Sequence, residues 1–190
     1  MNSENGTGGS VLLGLTYVRI LLVPVVMALI LAGPDRDSAY VAAAVIFAIA
    51  ASTDFVDGYL ARRWALTTTF GSFLDTTADK LVVSGALIAL VEVDRASAWI
   101  AIIIVGRELV ILGLRGVVAA DGTVFPPSIW GKLKTNIQFL AILLAILRYD
   151  EPLGPLLLDE WAMLAAAAIT VLSAVEYLAR FGSALTERSR

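Results

Sequence analysis

The chain has 190 residues, 58% of them hydrophobic and only 16% charged, with a mean hydropathy of +0.83, far more apolar than a soluble domain of this length. The formal net charge of −3 argues against nucleic acid as a partner. With no cysteine there is no disulfide framework or thiolate metal site, and with no histidine a general base has to be a carboxylate, lysine, tyrosine or water.

Residues 1–11 begin MNSENGTGGS, a polar Gly/Ser-rich run without the basic start of a secretory signal, and are expected as a flexible tail. Apolar runs then predict helices over 12–32, 39–62, 70–92, 97–118, 131–148 and 157–181. Each reaches or approaches the roughly 20 residues that cross a bilayer. The runs are broken by turn-forming stretches: GPDRDS at 33–38, VDRAS at 93–97, DGTVFPPS at 121–128 and DEPLGP at 150–155. The expectation is an all-α integral membrane protein: one six-helix transmembrane domain over 12–181, followed by a C-terminal tail over 182–190.

Six spans put both termini and the 2–3 and 4–5 connections on one side. That side takes eleven of the fourteen Lys and Arg residues, and the other holds Arg36, Arg95 and Arg148. The positive-inside bias makes the richer side cytoplasmic.

The second and third predicted helices carry the unusual chemistry, TDFVDGYLARRWALTTTFGSFLDTTADK, residues 53–80. With Leu66 at the tip of the turn, Asp57 and Asp75 lie at equal depth, as nearly do Asp54 and Asp79. Asp54 and Asp57 share one helix face at i,i+3, and Asp75 and Asp79 share another at i,i+4. Four carboxylates converging in a membrane repel one another and are costly unpaired, about 2.5–3.5 kcal/mol each on insertion scales. A hard divalent cation removes both problems, and two ions on four aspartates could grip a diphosphate. Alternatively, some of these acids cap helices or pair with Arg62, Arg63 and Lys80. Gly58, Ala61 and Gly71 keep the hairpin slim beside the acids, as ligand approach or plain helix packing requires. Arg62 has the reach and fork geometry to grip a phosphate.

The pattern Asp54-x-x-Asp57-Gly58-x-x-Ala61-Arg62, eight residues, Gly71-x-x-x-Asp75-x-x-x-Asp79 resembles the signature of the CDP-alcohol phosphotransferases at every fixed position. The resemblance implies six transmembrane helices, a homodimer, and displacement of CMP from a CDP-linked lipid by an alcohol at a site open to the cytoplasm. It implies one or two divalent ions, Mg²⁺ or Mn²⁺, on Asp54, Asp57, Asp75 and Asp79. Asp57, Gly58, Ala61, Arg62, Gly71 and Asp75, with Thr16, are implied at the CDP site, and Asp79 as the base for the attacking hydroxyl.

Thr16-x-x-Arg19, Gly106-Arg107-Glu108 and GKLKT at 131–135 make the chain most similar, within that family, to bacterial phosphatidylglycerophosphate synthases of the inner membrane. Those enzymes join glycerol 3-phosphate to CDP-diacylglycerol. Two positions depart from the usual pattern: Leu13 stands where Asn is frequent, and Thr76 where Pro is frequent. An acceptor with its own phosphate needs a second anion site, and Arg107, Arg115, Lys132 and Lys134 are the candidates. The alternative for Arg107 is a salt bridge with Glu108 or a hairpin aspartate, and snorkelling explains the two lysines equally well. Lys80 either tunes the acids or meets anionic headgroups. Other readings stay open: the same chemistry on inositol 1-phosphate, phosphatidylglycerol or serine, a divalent-cation transporter, or a non-catalytic lipid-binding scaffold. The apolar outer halves of helices 2, 3 and 5 suit a one-mouthed pocket better than a transport path.

Overall fold

The computed structural model describes the backbone of residues 3–64, 69–120 and 129–188. Side chains are described within these ranges except at 3–12, 54–64, 69–70, 72, 118, 120, 129–130, 132 and 182–188. Among the described residues there are six α-helices: α1 (Ser3–Leu31), α2 (Asp37–Trp64), α3 (Thr69–Glu92), α4 (Ala98–Ala120), α5 (Ile129–Leu147) and α6 (Leu158–Arg188). A 3-10 turn, Gly33–Asp35, follows α1, and a two-stranded hairpin, β1 (Pro152–Leu153) and β2 (Leu156–Leu157), precedes α6. The helix number matches the expectation. Two ends differ: α1 begins at Ser3, within the segment expected as a tail, and α6 runs on through Arg188. Once an apolar segment has formed a helix, each added residue costs little, so even Gly8 and Gly9 are carried along.

The chain forms two compact units, Met1–Arg95 and Ala96–Arg190. In the first, α1 packs along both α2 and α3, more extensively than those two pack on each other. At Gly85 the α1 and α3 backbones draw close, since a Cβ there would lie 2.7 Å from Val23, the small-residue device of membrane helices. In the second unit α6 packs against both α4 and α5.

The interior is largely alanine and medium-sized aliphatics, with Ala43, Ala86, Ala141, Ala145 and Ala166 at 0–1% exposure. Large apolar side chains such as Leu21, Ile88, Trp99 and Ile102 face outward. The many alanines inside let helices approach closely, and the many large apolar side chains outside suit lipid surroundings. Two described segments are long and apolar enough to cross a bilayer, Leu13–Asp35 and Leu158–Phe181. In α4, Arg107, Glu108 and Arg115 interrupt an otherwise apolar run.

Helix ends follow local chemistry. Gly33 and Pro34 stop α1, and Asp37 places a negative charge in the first turn of α2. At the end of α3, Asp94 adopts a left-handed φ of 55°. The Asp94 amide then donates to the Val91 carbonyl and the Arg95 amide to that of Leu90, a Schellman closure with Asp in place of the usual glycine. This turn sets Arg95 3.4 Å from the centroid of the buried Tyr40 ring, a cation–π contact. The same ring lies against Gly33, where a Cβ would fall 2.2 Å from it. After α5, Gly154 (φ 75°) turns the β-hairpin. The Leu157 amide donates to Glu160 (2.8 Å) and the Trp161 indole to the Leu153 carbonyl (3.0 Å), fastening the hairpin to the start of α6.

Gly33→Ala forces the Tyr40 ring aside and is expected to destabilise the protein by about 1–3 kcal/mol. Gly14→Ala, in α1 where a Cβ meets nothing within 4 Å, should leave stability unchanged or raise it by up to about 1 kcal/mol. The thermal midpoints of the two variants in detergent check the contrast.

Candidate functional site

Two polar clusters are built into the helices, one in each unit. In the first, Thr16 and Arg19 lie one turn apart on α1, 3% and 1% exposed. Arg19 Nη1 donates to Asp75 Oδ1 on α3 at 2.8 Å, a salt bridge. Its Nε donates to Thr53 Oγ1 on α2 at 3.3 Å. The Thr53 hydroxyl donates to the Ala50 carbonyl at 2.8 Å. One guanidinium thus reaches from α1 to both other helices of this unit. Asp75, Thr76, Asp79, Lys80 and Gly71 are half-buried on α3.

Asp54, Asp57, Gly58, Ala61 and Arg62 all lie in α2, but their side chains fall outside the described residues, as does the turn at Leu66. The expected facing of Asp57 on Asp75 and of Asp54 on Asp79 therefore lies outside them too. The chemistry available to a metal is that of carboxylate oxygens one helical turn apart on α3, which suits a hard cation. Among the described residues no three His, Cys, Asp or Glu side chains gather as a metal site; any larger set needs the aspartates of α2.

The second cluster is centred on Glu108 of α4, 5% exposed. Arg107 Nη1 donates to Glu108 Oε1 at 3.2 Å, and Lys134 Nζ of α5 forms a short hydrogen bond to the same oxygen. Arg107 Nη2 donates to Ser173 Oγ of α6 at 2.7 Å. Nearby, Gln138 Nε2 donates to Thr170 Oγ1 at 2.8 Å, and that hydroxyl donates to the Ala166 carbonyl at 2.6 Å. Buried polar side chains on all three helices thus meet partners, with Arg107 Nε buried and making no hydrogen bond. Of the four cations expected at an acceptor site, Arg107 and Lys134 meet here. Arg115 is exposed, its guanidinium 5.7 Å from the Tyr177 ring centroid. The Lys132 side chain lies outside the described residues.

From sequence alone Thr53 and Ser173 carry no site role, Glu108 enters only through Gly106-Arg107-Glu108 and as a salt-bridge partner for Arg107, and Arg19 only through Thr16-x-x-Arg19. The available signal was the cost of a charge within an apolar run: Arg19 on α1 and Glu108 on α4 both break such runs.

The sequence matches the family model described as CDP-alcohol phosphatidyltransferase over residues 13–172. The chain is 41% identical over 183 residues to the CDP-diacylglycerol–glycerol-3-phosphate 3-phosphatidyltransferase of Bacillus subtilis, covering 90% of this chain and 94% of that one. It is 40% identical over 172 residues to the enzyme of the same name from Haemophilus influenzae, covering 86% and 89%. The counterpart from Pseudomonas fluorescens is 37% identical over 170 residues, covering 86% of each chain.

Glu108→Ala strands Arg107 and Lys134 without their shared carboxylate and is expected to cost about 3–5 kcal/mol. The double variant Glu108→Ala/Lys134→Met removes one of the stranded charges and should recover part of that loss. Unfolding midpoints in micelles measure both.

Proposed function

Because the chain belongs to the CDP-alcohol phosphatidyltransferase family, we propose that it transfers the phosphatidyl group of CDP-diacylglycerol to glycerol 3-phosphate, giving phosphatidylglycerophosphate and CMP. The observation that carries this reading is the similarity, over most of both chains, to relatives named for that reaction. The complete aspartate signature from Asp54 to Asp79 supports the same chemistry.

In this reading Asp79 accepts the proton of the primary hydroxyl of glycerol 3-phosphate. The alcohol oxygen bonds to the lipid-linked phosphorus, the diphosphate P–O bond breaks, and CMP leaves with the electron pair. Mg²⁺ or Mn²⁺, one or two ions held by Asp54, Asp57, Asp75 and Asp79, would supply Lewis-acid polarisation of the diphosphate. Arg62 neutralises its charge, while Gly58, Ala61 and Gly71, with Asp57, Asp75 and Thr16, line the CDP site. The acceptor phosphate goes to Arg107, Arg115, Lys132 and Lys134. The Glu108 cluster supports this assignment, since two cations against one carboxylate leave a net positive charge to attract an anion.

The reading extends to a multi-pass protein of the bacterial inner membrane, a homodimer with termini and aspartates on the cytoplasmic side. The asymmetry of Lys and Arg supports that orientation, and the outward-facing large apolar side chains support the lipid surroundings. A cytoplasmic site suits the substrates, one soluble in water and the other held by its acyl chains with its nucleotide outside the hydrocarbon.

Purified protein with CDP-diacylglycerol, Mg²⁺ or Mn²⁺ and a panel of acceptors should release CMP with glycerol 3-phosphate. EDTA should stop the reaction, and Asp75→Asn or Asp79→Asn should reduce turnover at least ~100-fold without loss of fold. Near-normal turnover in either variant counts against the mechanism, and product with inositol 1-phosphate alone overturns the acceptor. For orientation, the absence of native cysteine permits single-cysteine variants. An impermeant maleimide should label Glu151→Cys in intact spheroplasts, and Thr67→Cys only after lysis.

A further inference from the structure

We propose that Arg19 is a positioning residue for the metal-binding aspartates. From α1 it fixes the Asp75 carboxylate on α3 and, through Thr53, the turn of α2 that carries Asp54. The inference rests on the metal-dependent reading above and adds a residue to it.

Three observations carry the proposal. First, Arg19 is 1% exposed. A fully buried guanidinium costs several kcal/mol to desolvate, and replacing buried ion pairs by apolar residues is often neutral or stabilising. Stability alone is therefore a poor reason to have arginine there. Second, the contacts divide by direction. Nη1 meets Asp75 and Nε meets Thr53, so the planar fork sets the angle between two helices as well as neutralising a charge. Third, the Thr53 hydroxyl has a single proton, which it gives to the Ala50 carbonyl. It therefore faces Arg19 as an acceptor, and the direction of that bond is defined. Thr53 immediately precedes Asp54 in α2, so holding it holds the turn of the first aspartate.

The ion pair engages one oxygen of Asp75, and a carboxylate has two. Arg19 orients the acid and offsets part of the repulsion among the carboxylates without competing as a ligand. Lysine cannot reproduce this role, because a point charge on a flexible stem does not span Asp75 and Thr53 in fixed geometry.

The test is Mn²⁺ binding without substrates. Protein in detergent micelles is stripped with EDTA and titrated while the electron paramagnetic resonance signal of free Mn²⁺ is followed. Partners that orient metal ligands typically change affinity 10–100-fold when removed. Arg19→Met should therefore raise the Mn²⁺ Kd about 10–100-fold, Arg19→Lys less, and Thr53→Val by a smaller but measurable factor. The rise in melting temperature on adding Mn²⁺ should shrink in the same order. Unchanged or tighter Mn²⁺ binding in the Arg19 variants overturns the proposal and makes Arg19 a stand-in cation instead. If Arg19→Met does not yield folded protein, Arg19→Lys and Thr53→Val decide by the same criterion. Wild-type protein that binds no Mn²⁺ overturns the metal reading and this inference together, whereas wild-type binding with indifferent variants overturns the Arg19 role alone.

Discussion

A charge enclosed by apolar helices has to meet its opposite inside the protein, because neither lipid nor a packed interior replaces the lost water. In the described residues each fully buried charge lies within ion-pair distance of an opposite charge from a different part of the chain, although the Asp159 carboxylate accepts no hydrogen bond. Arg19 of α1 meets Asp75 of α3, Lys134 of α5 meets Glu108 of α4, and Arg148, just past α5, meets Asp159 of α6 at 3.3 Å. Apolar contacts between such helices are nearly interchangeable with lipid contacts. The ion pairs therefore do what a hydrophobic core does in water, selecting one helix register over its neighbours.

Function grows from the same pairs. Asp75 is both a signature aspartate and the end of the Arg19 contact. Arg107 and Lys134 are both candidate phosphate ligands and the cations that make Glu108 tolerable inside the bundle. Under the proposed function each cluster holds a side chain that both pairs helices and serves the reaction, so a substitution there would act on assembly and turnover together. Variants that keep the charge, or change one donor of several, are the ones that separate the two.

The sequence carried the helices well because their breaks are written in breaker chemistry. GPDRDS and VDRAS end α1 and α3 close to where expected, since proline, glycine and a left-handed residue cannot prolong a helix. The apolar run over 70–92 put Asp75 and Asp79 one turn apart on a single helix, as α3 has them, whereas the facing of Asp57 on Asp75 and of Asp54 on Asp79 lies outside the described residues. The partners were not legible. Arg19 and Asp75 are 56 positions apart, and no periodicity connects residues that meet only through tertiary packing. The pairing of Arg107 with the adjacent Glu108 was legible, but not the second cation on that carboxylate, Lys134, 26 positions away. The helical start at Ser3 was missed for the opposite reason: local propensity pointed to a tail.

The alanine-lined interior has a consequence for how such a chain can change over generations. Where two backbones are spaced by methyl groups, any larger side chain pries them apart, and the polar contacts across that seam lengthen with them. In the proposed membrane setting, exposed positions such as Leu21, Ile88 and Ile102 would meet a fluid that conforms to whatever apolar shape it is offered. The surface can therefore drift among hydrophobic residues at little cost, while the unremarkable alanines beneath it are held nearly still.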